Sequence, residues 1–276
     1  TTIGSVAGPN MLAPGADVAD AVDLPALSGP FLFSVIAFAV AATVIGVAFR
    51  PTPPQPDPTT PVVTSSADDA ETPGAIAALR WAAGRPRARF AVALIALAHA
   101  VMVMVMVMTP VHMEGHGDTL EFVGIVISLH VFGMYGLSPV FGWAIDRFGT
   151  LTVAAVGLGI EGLAVVLGYF AAAGSPGLTV TALILLGIGW SGCVLAGSAL
   201  LASDDVAARV KVPLQGASDA AMNYAGACGA ALAGPILAIG GFHAVNIVAG
   251  VVLAPALLLW LPAYRARGGS AVVVPR

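Results

Sequence analysis

Methionine and histidine side chains recur at helical spacing in two neighbouring apolar segments of the sequence. The first segment carries His99, Met102 and Met106, which fall within about 60° of one another at 100° per residue. The second carries His130 and Met134, one helical turn apart. Thioether and imidazole groups together suit a soft cation, above all Cu(I). The candidate metal ligands are Met102, Met106, His130 and Met134. The alternative is that the methionines are flexible apolar packing residues.

More potential ligands follow the first of these segments, in the run His112-Met113-Glu114-Gly115-His116. This run has no recognised metal spacing. It is either an outer capture site for a metal ion or an ordinary polar loop. The two cysteines, Cys193 and Cys228, lie in apolar segments without metal-type spacing, and we interpret them as small packing residues.

Two carboxylates interrupt the apolar segments. Asp219 lies between Gln215 and Asn223 at intervals of four residues, which places the three on one polar stripe of a helix. Glu161 is surrounded by glycines, which indicates close helix packing. Ionisable groups in such segments are costly and usually face a partner or a watery cavity. The stripe therefore either faces a solute pathway or pairs with another helix, and Glu161 is a candidate proton carrier.

The segments that must position these residues are long enough to cross a membrane. The 276 residues are 58% hydrophobic and 9% charged, and the mean hydropathy is +0.93. About 20 apolar residues in a helix match the hydrocarbon thickness of a bilayer, and these runs lack the alternation of a β-barrel. The sequence predicts an all-α membrane protein with spans at 30–49, 89–110, 120–143, 151–173, 178–202, 212–239 and 243–263.

The basic residues predict the orientation of these spans. The 11 Lys and Arg residues all fall on one side of the membrane when the spans are threaded alternately, and the predicted loops on the other side, 10–29, 109–119, 173–178 and 240–243, contain none. The positive-inside tendency makes that side cytoplasmic. The C-terminus is therefore predicted to lie in the cytoplasm. The basic residues are Arg50, Arg80, Arg85, Arg87, Arg89, Arg147, Arg209, Lys211, Arg265, Arg267 and Arg276.

A proline-rich stretch divides the chain. Six prolines between 51 and 61 precede the acidic residues Asp68, Asp69 and Glu71, a composition typical of a flexible or polyproline-like linker. Residues 76–84 are a candidate interfacial helix just before the membrane. The predicted organisation is 1–50 with one span and the end of another, 51–87 as a cytoplasmic loop, 88–264 as six spans, and 265–276 as a cytoplasmic tail. Residues 1–13 read as the end of a further helix, so the chain is interpreted as a fragment.

The turn after the third span carries a recognisable motif. Gly142, Asp146, Arg147 and Gly149 stand at the spacing GxxxDRxG, and Gly4, Gly8 and Pro9 match the end of a GxxxGP signature. Both resemble motifs of the major facilitator superfamily, the first between the eighth and ninth helices and the second in the fifth. The basic residues that usually follow the loop motif are replaced by Thr150 and Leu151, as in the weaker second copy of that motif.

The resemblance implies a twelve-helix carrier whose two six-helix halves rock around a site near the midplane. This chain would supply the end of the fifth helix, the sixth helix and the complete C-terminal half, and its partner would be the N-terminal half. The loop motif would act as a gate, and the stripe on the eleventh helix, Gln215, Asp219 and Asn223, is the candidate substrate-binding set. The other expected partners are the lipid bilayer and a small solute or metal ion. No cofactor is expected.

Within the superfamily, the MxxxM at Met102 and Met106 and the HxxxM at His130 and Met134 resemble those of bacterial copper importers. Carriers of riboflavin or other small organic solutes are the alternative. A membrane metal sensor or assembly partner is the alternative from another class. The sequence contains no P-loop, dinucleotide fingerprint or recognised nucleophile arrangement, and nothing in it indicates nucleic-acid binding, so an enzyme is not predicted.

Overall fold

The computed structural model describes Gly4 and residues 8–25, 28–48 and 73–266. Residues 8–48 and 73–266 belong to two compact units, which are treated separately below. Most of the predicted linker, the tail after residue 266 and part of the GxxxGP match lie outside the described residues.

The N-terminal unit contains two α-helices. A 3₁₀ turn at Gly8–Met11 leads into α1 (Leu12–Ala21), and α2 spans Gly29–Ala48. The helix α1 lies where the sequence predicted a loop between 10 and 29. Its Pro14 is tolerated because the first four N–H groups of a helix have no intrahelical acceptor. Gly15 of α1 and Gly29 of α2 approach so closely that a Cβ atom on either would overlap backbone. The helix α2 matches the predicted span at 30–49.

Within residues 73–266, the larger unit contains seven α-helices, all connected by short turns. They are α3 (Ala75–Ala83), α4 (Pro86–Gly115), α5 (Leu120–Tyr135), α6 (Ser138–Phe148), α7 (Thr150–Ala171), α8 (Pro176–Ala202) and α9 (Ala208–Arg265). The short α3 confirms the helix expected near 76–84. The end of α4 corrects the predicted loop at 109–119, because the helix continues through His112 to Gly115.

One predicted span consists of two helices. Residues Leu120–Phe148 together are long and apolar enough to cross a membrane, but α5 ends at Tyr135 and α6 begins at Ser138. Pro139 lies at the start of α6 and has no N–H to donate to the preceding turn, which explains the break. The motif residues Gly142, Asp146 and Arg147 therefore lie on α6, after the break in the span.

The 58-residue helix α9 contains two membrane passes. Gly240 and Gly241 depart from helical geometry, and Gly241 has φ of 64°, a conformation that favours glycine. Before this break, Gly226 and Gly229 lie against His99 and Ala100 of α4. After the break, the chain contacts α7 in reverse order, through Asn246 beside Gly168, Gly250 beside Val165 and Trp260 bonded to the Leu151 carbonyl.

These contacts fix the relative directions of the helices. Both α4 and α7 run antiparallel to α8, so they run parallel to each other. The first arm of α9 follows the direction of α4, while the second arm opposes α7. The two arms are therefore antiparallel, and the larger unit makes six passes in alternating directions. The predicted spans at 212–239 and 243–263 correspond to these two arms.

The helix α8 occupies the centre of the larger unit, and glycines let its neighbours approach. Gly187 faces the His130 carbonyl of α5, Gly189 faces the backbone of Glu161 on α7, and Gly197 faces Ile95 of α4. A Cβ at any of these positions would fall within 2.6 Å of an atom on the neighbouring helix. Small residues at helix contacts allow such close packing in membrane proteins. This helix positions residues from three other helices around it.

The outer surface of this unit is apolar. Among the described residues, six helical stretches are long and apolar enough to cross a membrane. One is α2 of the N-terminal unit and five belong to the larger unit, where α5 and α6 count as one stretch and α9 counts as one. Large apolar side chains project from it, including Phe132, Val156, Leu163, Phe170, Leu232 and Leu258. Such a surface is stable against lipid and not against water.

Candidate functional site

The predicted metal ligands lie on α4 and α5, and α8 packs against both of these helices. Met102 and Met134 are buried, Met106 is half-buried, and His130 is fully buried. A copper site formed by these four ligands requires α4 and α5 to pack closely. The structure does not show such packing, because the two helices make few direct contacts with each other. In the described part of the chain, no group of three or more His, Cys, Asp and Glu side chains is arranged to hold a metal ion. The four-residue copper site stays a prediction.

His130 is held by α8. Its Nδ1 donates to the Leu183 carbonyl oxygen at 2.7 Å, which leaves the lone pair on Nε2 as an acceptor. Nε2 is buried and has no hydrogen-bond partner among the described residues. A buried polar atom without a partner is unusual and often marks a ligand or a strained site.

The outer histidines connect the ends of several helices. His116 Nδ1 lies 2.8 Å from the His112 carbonyl oxygen, and the two rings are 4.4 Å apart. The His112 ring stacks on Phe242, beside the break in α9, with the ring planes 7° apart. His116 lies next to Gly174 in the α7–α8 turn. These contacts support a packing role for the two histidines at this end of the bundle.

The polar stripe on α9 is linked within the helix and open on its outer side. Gln215 Nε2 donates to Asp219 Oδ1 at 3.1 Å, and Asn223 Nδ2 donates to the Asp219 carbonyl oxygen at 2.8 Å. Asp219 and Asn223 are exposed and Gln215 is half-buried. Asp219 lies seven residues after the start of the predicted span at 212, which is about 10 Å into a hydrocarbon layer of about 30 Å. An exposed carboxylate at that depth requires a polar partner or a watery cavity.

A second polar group, closer to the middle of the membrane, was not singled out from the sequence. Trp190 Nε1 donates to His99 Nδ1 at 3.0 Å. Tyr135 packs edge-on against the Trp190 ring, with the ring centroids 5.9 Å apart. The group joins α4, α5 and α8 and is partly accessible, with His99 and Tyr135 half-buried. His99 lies about 20 Å from the start of α4, at 1.5 Å per residue. The only sign of this group in the sequence was a histidine, His99, within an apolar segment. Residue spacing could not predict that its hydrogen-bond partner is Trp190.

The stripe and the aromatic group lie on the same side of the first arm of α9. Gly226 contacts the His99 ring. At 100° per residue, Gly226 is only about 20° around the helix from Asp219, two turns further along. The two groups therefore line one side of the bundle, about 10 Å apart along the helix. Together they offer aromatic faces, an imidazole, an amide pair and a carboxylate.

Glu161 is buried between α7 and α8, away from that side. Cys193 Sγ donates to Glu161 Oε2 at 3.6 Å, and Oε1 has no hydrogen-bond partner among the described residues. The glycine next to its backbone is Gly189 of α8. No cation pairs with Glu161 in the described residues. Its role as a proton carrier stays a prediction.

The motif loop has an open polar surface. Gly149 has φ of 83° and forms the turn from α6 to α7, a conformation that glycine adopts without strain. Asp146 and Arg147 are exposed and form no ion pair within the described residues. This arrangement leaves both charges available to another part of the fold.

The fold and these groups define a polytopic helical membrane protein with a polar, partly accessible region at mid-depth. Comparison with known families agrees with this class: the family model of the Major Facilitator Superfamily matches residues 91–272. The chain belongs to the major facilitator superfamily of membrane transporters.

Its relatives include bacterial transporters. The chain is 33% identical over 258 residues to the uncharacterized MFS-type transporter YddS of Bacillus subtilis, which covers 94% of this chain and 58% of the relative. It is 35% identical over 255 residues to the uncharacterized MFS-type transporter YdeG of the same organism, covering 91% and 58%. The riboflavin transporter RfnT of Brucella anthropi is 30% identical over 161 residues, covering 55% and 39%. The chain thus spans little more than half the length of YddS and YdeG. No solved structure matches it.

Proposed function

We propose that this chain is part of a secondary carrier that moves a small organic solute across a bacterial inner membrane by alternating access. The observation that carries the proposal is the exposed Asp219 on a membrane-spanning helix, on the same side as the His99–Trp190 pair. A carboxylate is not stable against lipid at that depth, so this side must face water or a partner. A solute pathway between two halves of a carrier satisfies that requirement.

The chemistry of the site favours a planar, polar solute. Trp190 and Tyr135 provide aromatic surfaces beside the His99 imidazole, and the polar stripe with Asp219 about 10 Å away along α9 provides further hydrogen-bonding groups. Ligand sites commonly combine apolar walls with a few well-placed polar groups. The riboflavin transporter among the relatives is named for a solute of this kind. We therefore propose a riboflavin-like heteroaromatic solute as the cargo.

The motif loop is proposed to gate the movement. Asp146 and Arg147 lie about 10 residues beyond the mid-depth group on α5, at the end of α6 where the chain leaves the membrane. Their charges can hold a second half of the carrier in one conformation through helix ends at the surface. Breaking those contacts would let the halves rock. In the proposed orientation this surface and the C-terminus face the cytoplasm.

The test is solute uptake into liposomes containing the purified protein, with riboflavin as the first probe. We expect Trp190→Phe to raise the KM for uptake about fivefold, because it keeps the ring but removes the N–H that His99 accepts. Asp219→Asn should lower uptake by about tenfold or more. The matched control is Trp143→Phe, which changes an exposed indole on α6 that packs edge-on against Phe148. Equal effects of the two tryptophan variants, or no riboflavin uptake by the parent, would contradict the proposed cargo.

Cu(I) import is a second candidate, favoured by one observation. His130 Nε2 is buried without a hydrogen-bond partner in the described residues, and the thioether of Met134 lies one turn away on the same helix. Copper would be the cargo and would be held by these groups with Met102 and Met106. Met106→Leu and His130→Leu keep apolar bulk and should abolish copper accumulation. Uptake into sealed vesicles also separates a carrier from a membrane metal sensor, since only a carrier accumulates its ligand inside.

A further inference from the structure

A cavity opens at the end of the larger unit where α4 begins, far from the mid-depth groups. Its volume is about 250 Å³, below the 300–1,000 Å³ of pockets for drug-sized ligands. It lies about 20 Å from His99, because 13 residues of α4 separate Pro86 from that histidine. Four segments supply its walls: the end of α3, the start of α4, the end of α8 with the following turn, and the end of α9. The lining residues are Trp81, Arg85, Pro86, Arg87, Ala88, Leu200, Ser203, Asp205, Val206 and Ala266.

The walls of this cavity carry one net positive charge. Arg87 forms an ion pair with Asp205 of the α8–α9 turn. Arg85 lies over the Trp81 ring, 3.9 Å from its centroid, and donates to the Trp81 carbonyl oxygen at 3.1 Å. Among the described residues, no second carboxylate lines the cavity to neutralise Arg85.

Several N–H groups in the walls lack an acceptor. The Nε of Arg87 is buried and has no hydrogen-bond partner among the described residues. The first turn of α4 begins at Pro86, and no side chain caps it, so the backbone N–H groups of Arg87 and Ala88 are free. Free N–H groups at a helix start, together with guanidinium groups, favour an anion with several acceptor oxygens.

The surroundings of the cavity are those of a membrane boundary. The amphipathic α3 exposes Ile76 on one side and buries Ala78 and Ala82 on the other. Trp81 presents a ring with a polar edge, a residue type enriched at the level of lipid headgroups. Directly after Arg89, α4 becomes apolar. Basic pockets beside transmembrane helices at this level bind the phosphate of anionic lipids.

We propose that this cavity binds the phosphodiester of an anionic phospholipid headgroup, with Arg85, Arg87 Nε and the start of α4 as donors. The acyl chains would lie along the apolar surface beside it. A bound lipid would connect α3, α4 and the α8–α9 turn, and so stabilise the end of the bundle next to the predicted linker. This site is separate from the proposed solute pathway and does not depend on the transported cargo.

The test is native mass spectrometry of the purified, delipidated protein titrated with phosphatidylglycerol or with phosphatidylcholine of the same acyl chains. We expect phosphatidylglycerol to bind more tightly. Arg85→Gln should weaken it about fivefold, the effect of one arginine near an anionic headgroup. The matched control is Arg80→Gln, which removes an exposed arginine of α3, five residues before Arg85, that does not line the cavity.

The variant Asp205→Asn tests whether Arg87 binds the lipid or only supports the fold through its ion pair with Asp205. This change removes the partner of Arg87 but makes the cavity more positive. We expect phosphatidylglycerol affinity to be kept or increased, with the thermal unfolding temperature as a check on folding. Equal binding of the two lipids, equal losses in the Arg80 and Arg85 variants, or lost affinity in a folded Asp205→Asn variant would overturn the proposal. Displacement of the lipid by millimolar inorganic phosphate would assign the cavity to free phosphate instead.

Discussion

Replacing Gly189 by alanine tests the close packing of α7 on α8. A Cβ at this position would lie 2.6 Å from the Glu161 backbone nitrogen and 2.8 Å from its Cα. Those atoms belong to the backbone of the neighbouring helix and cannot turn aside as a side-chain end would. The helices must separate by about 0.8 Å to restore ordinary contact. Overpacking of this kind costs about 1–3 kcal/mol.

The change also has a favourable component. Alanine is about 1 kcal/mol better than glycine in a helix interior, so the net loss of stability should be about 1 kcal/mol. The matched control is Gly159→Ala on α7, where a Cβ would meet nothing within 4 Å. Both variants share the gain in helix propensity. The difference between them therefore isolates the overpacking, and we expect Gly189→Ala to be about 2 kcal/mol less stable than Gly159→Ala.

Reversible unfolding in mixed micelles with increasing SDS measures both free energies of unfolding. Labelling of the buried Cys193 provides a local readout, because this thiol contacts Glu161 at the same helix contact. The measurement needs a Cys228→Ser background, since Cys228 is exposed. Labelling of Cys193 should be faster in Gly189→Ala than in the control. Equal stability and equal labelling in the two variants would refute the inferred contact between α7 and α8.

Two further predictions concern orientation and gating. In a variant without Cys193 and Cys228, a cysteine at position 117 should react rapidly with an impermeant thiol reagent added to intact cells, whereas one at position 60 should not; the opposite pattern would reverse the topology. Asp146→Asn should slow uptake severalfold while changing solute affinity by less than about twofold, because Asp146 lies on α6 at the membrane surface and not at mid-depth. A binding titration that shows an equally large loss of affinity would count against a gating role.

The membrane spans could be predicted from the sequence because span length and charge placement are properties of local segments. The run from Gly29 to Ala48 is apolar along its whole length, and so is most of α4. The hydrocarbon thickness of a bilayer then sets how many residues each pass requires. The spacing of Gly142, Asp146, Arg147 and Gly149 is also local, which is why the superfamily could be suspected before any fold was known.

Helix continuity was harder to predict. The end of α4 was placed too early, because Pro110 and the polar run after it suggested a loop, yet the helix accommodates both. The break between α5 and α6 was missed because hydropathy alone does not report an interruption of the helix. In both cases the packing around the segment decided the backbone geometry, and a window of apolar residues carries no record of that packing.

The sequence by itself determined that this chain crosses a membrane several times, which segments do so, and to which superfamily it belongs. Only the tertiary structure decided which side chains meet. Helical spacing placed His130 and Met134 on one face but could not show that this face packs against α8. Helical spacing also could not predict the contact of His99 with Trp190, 91 residues away, or the ion pair of Arg87 with Asp205. The face of a helix on which a residue lies follows from the period of 3.6 residues per turn. The residues that it contacts on other helices depend on how the helices pack at their glycines, which is a property of the whole bundle.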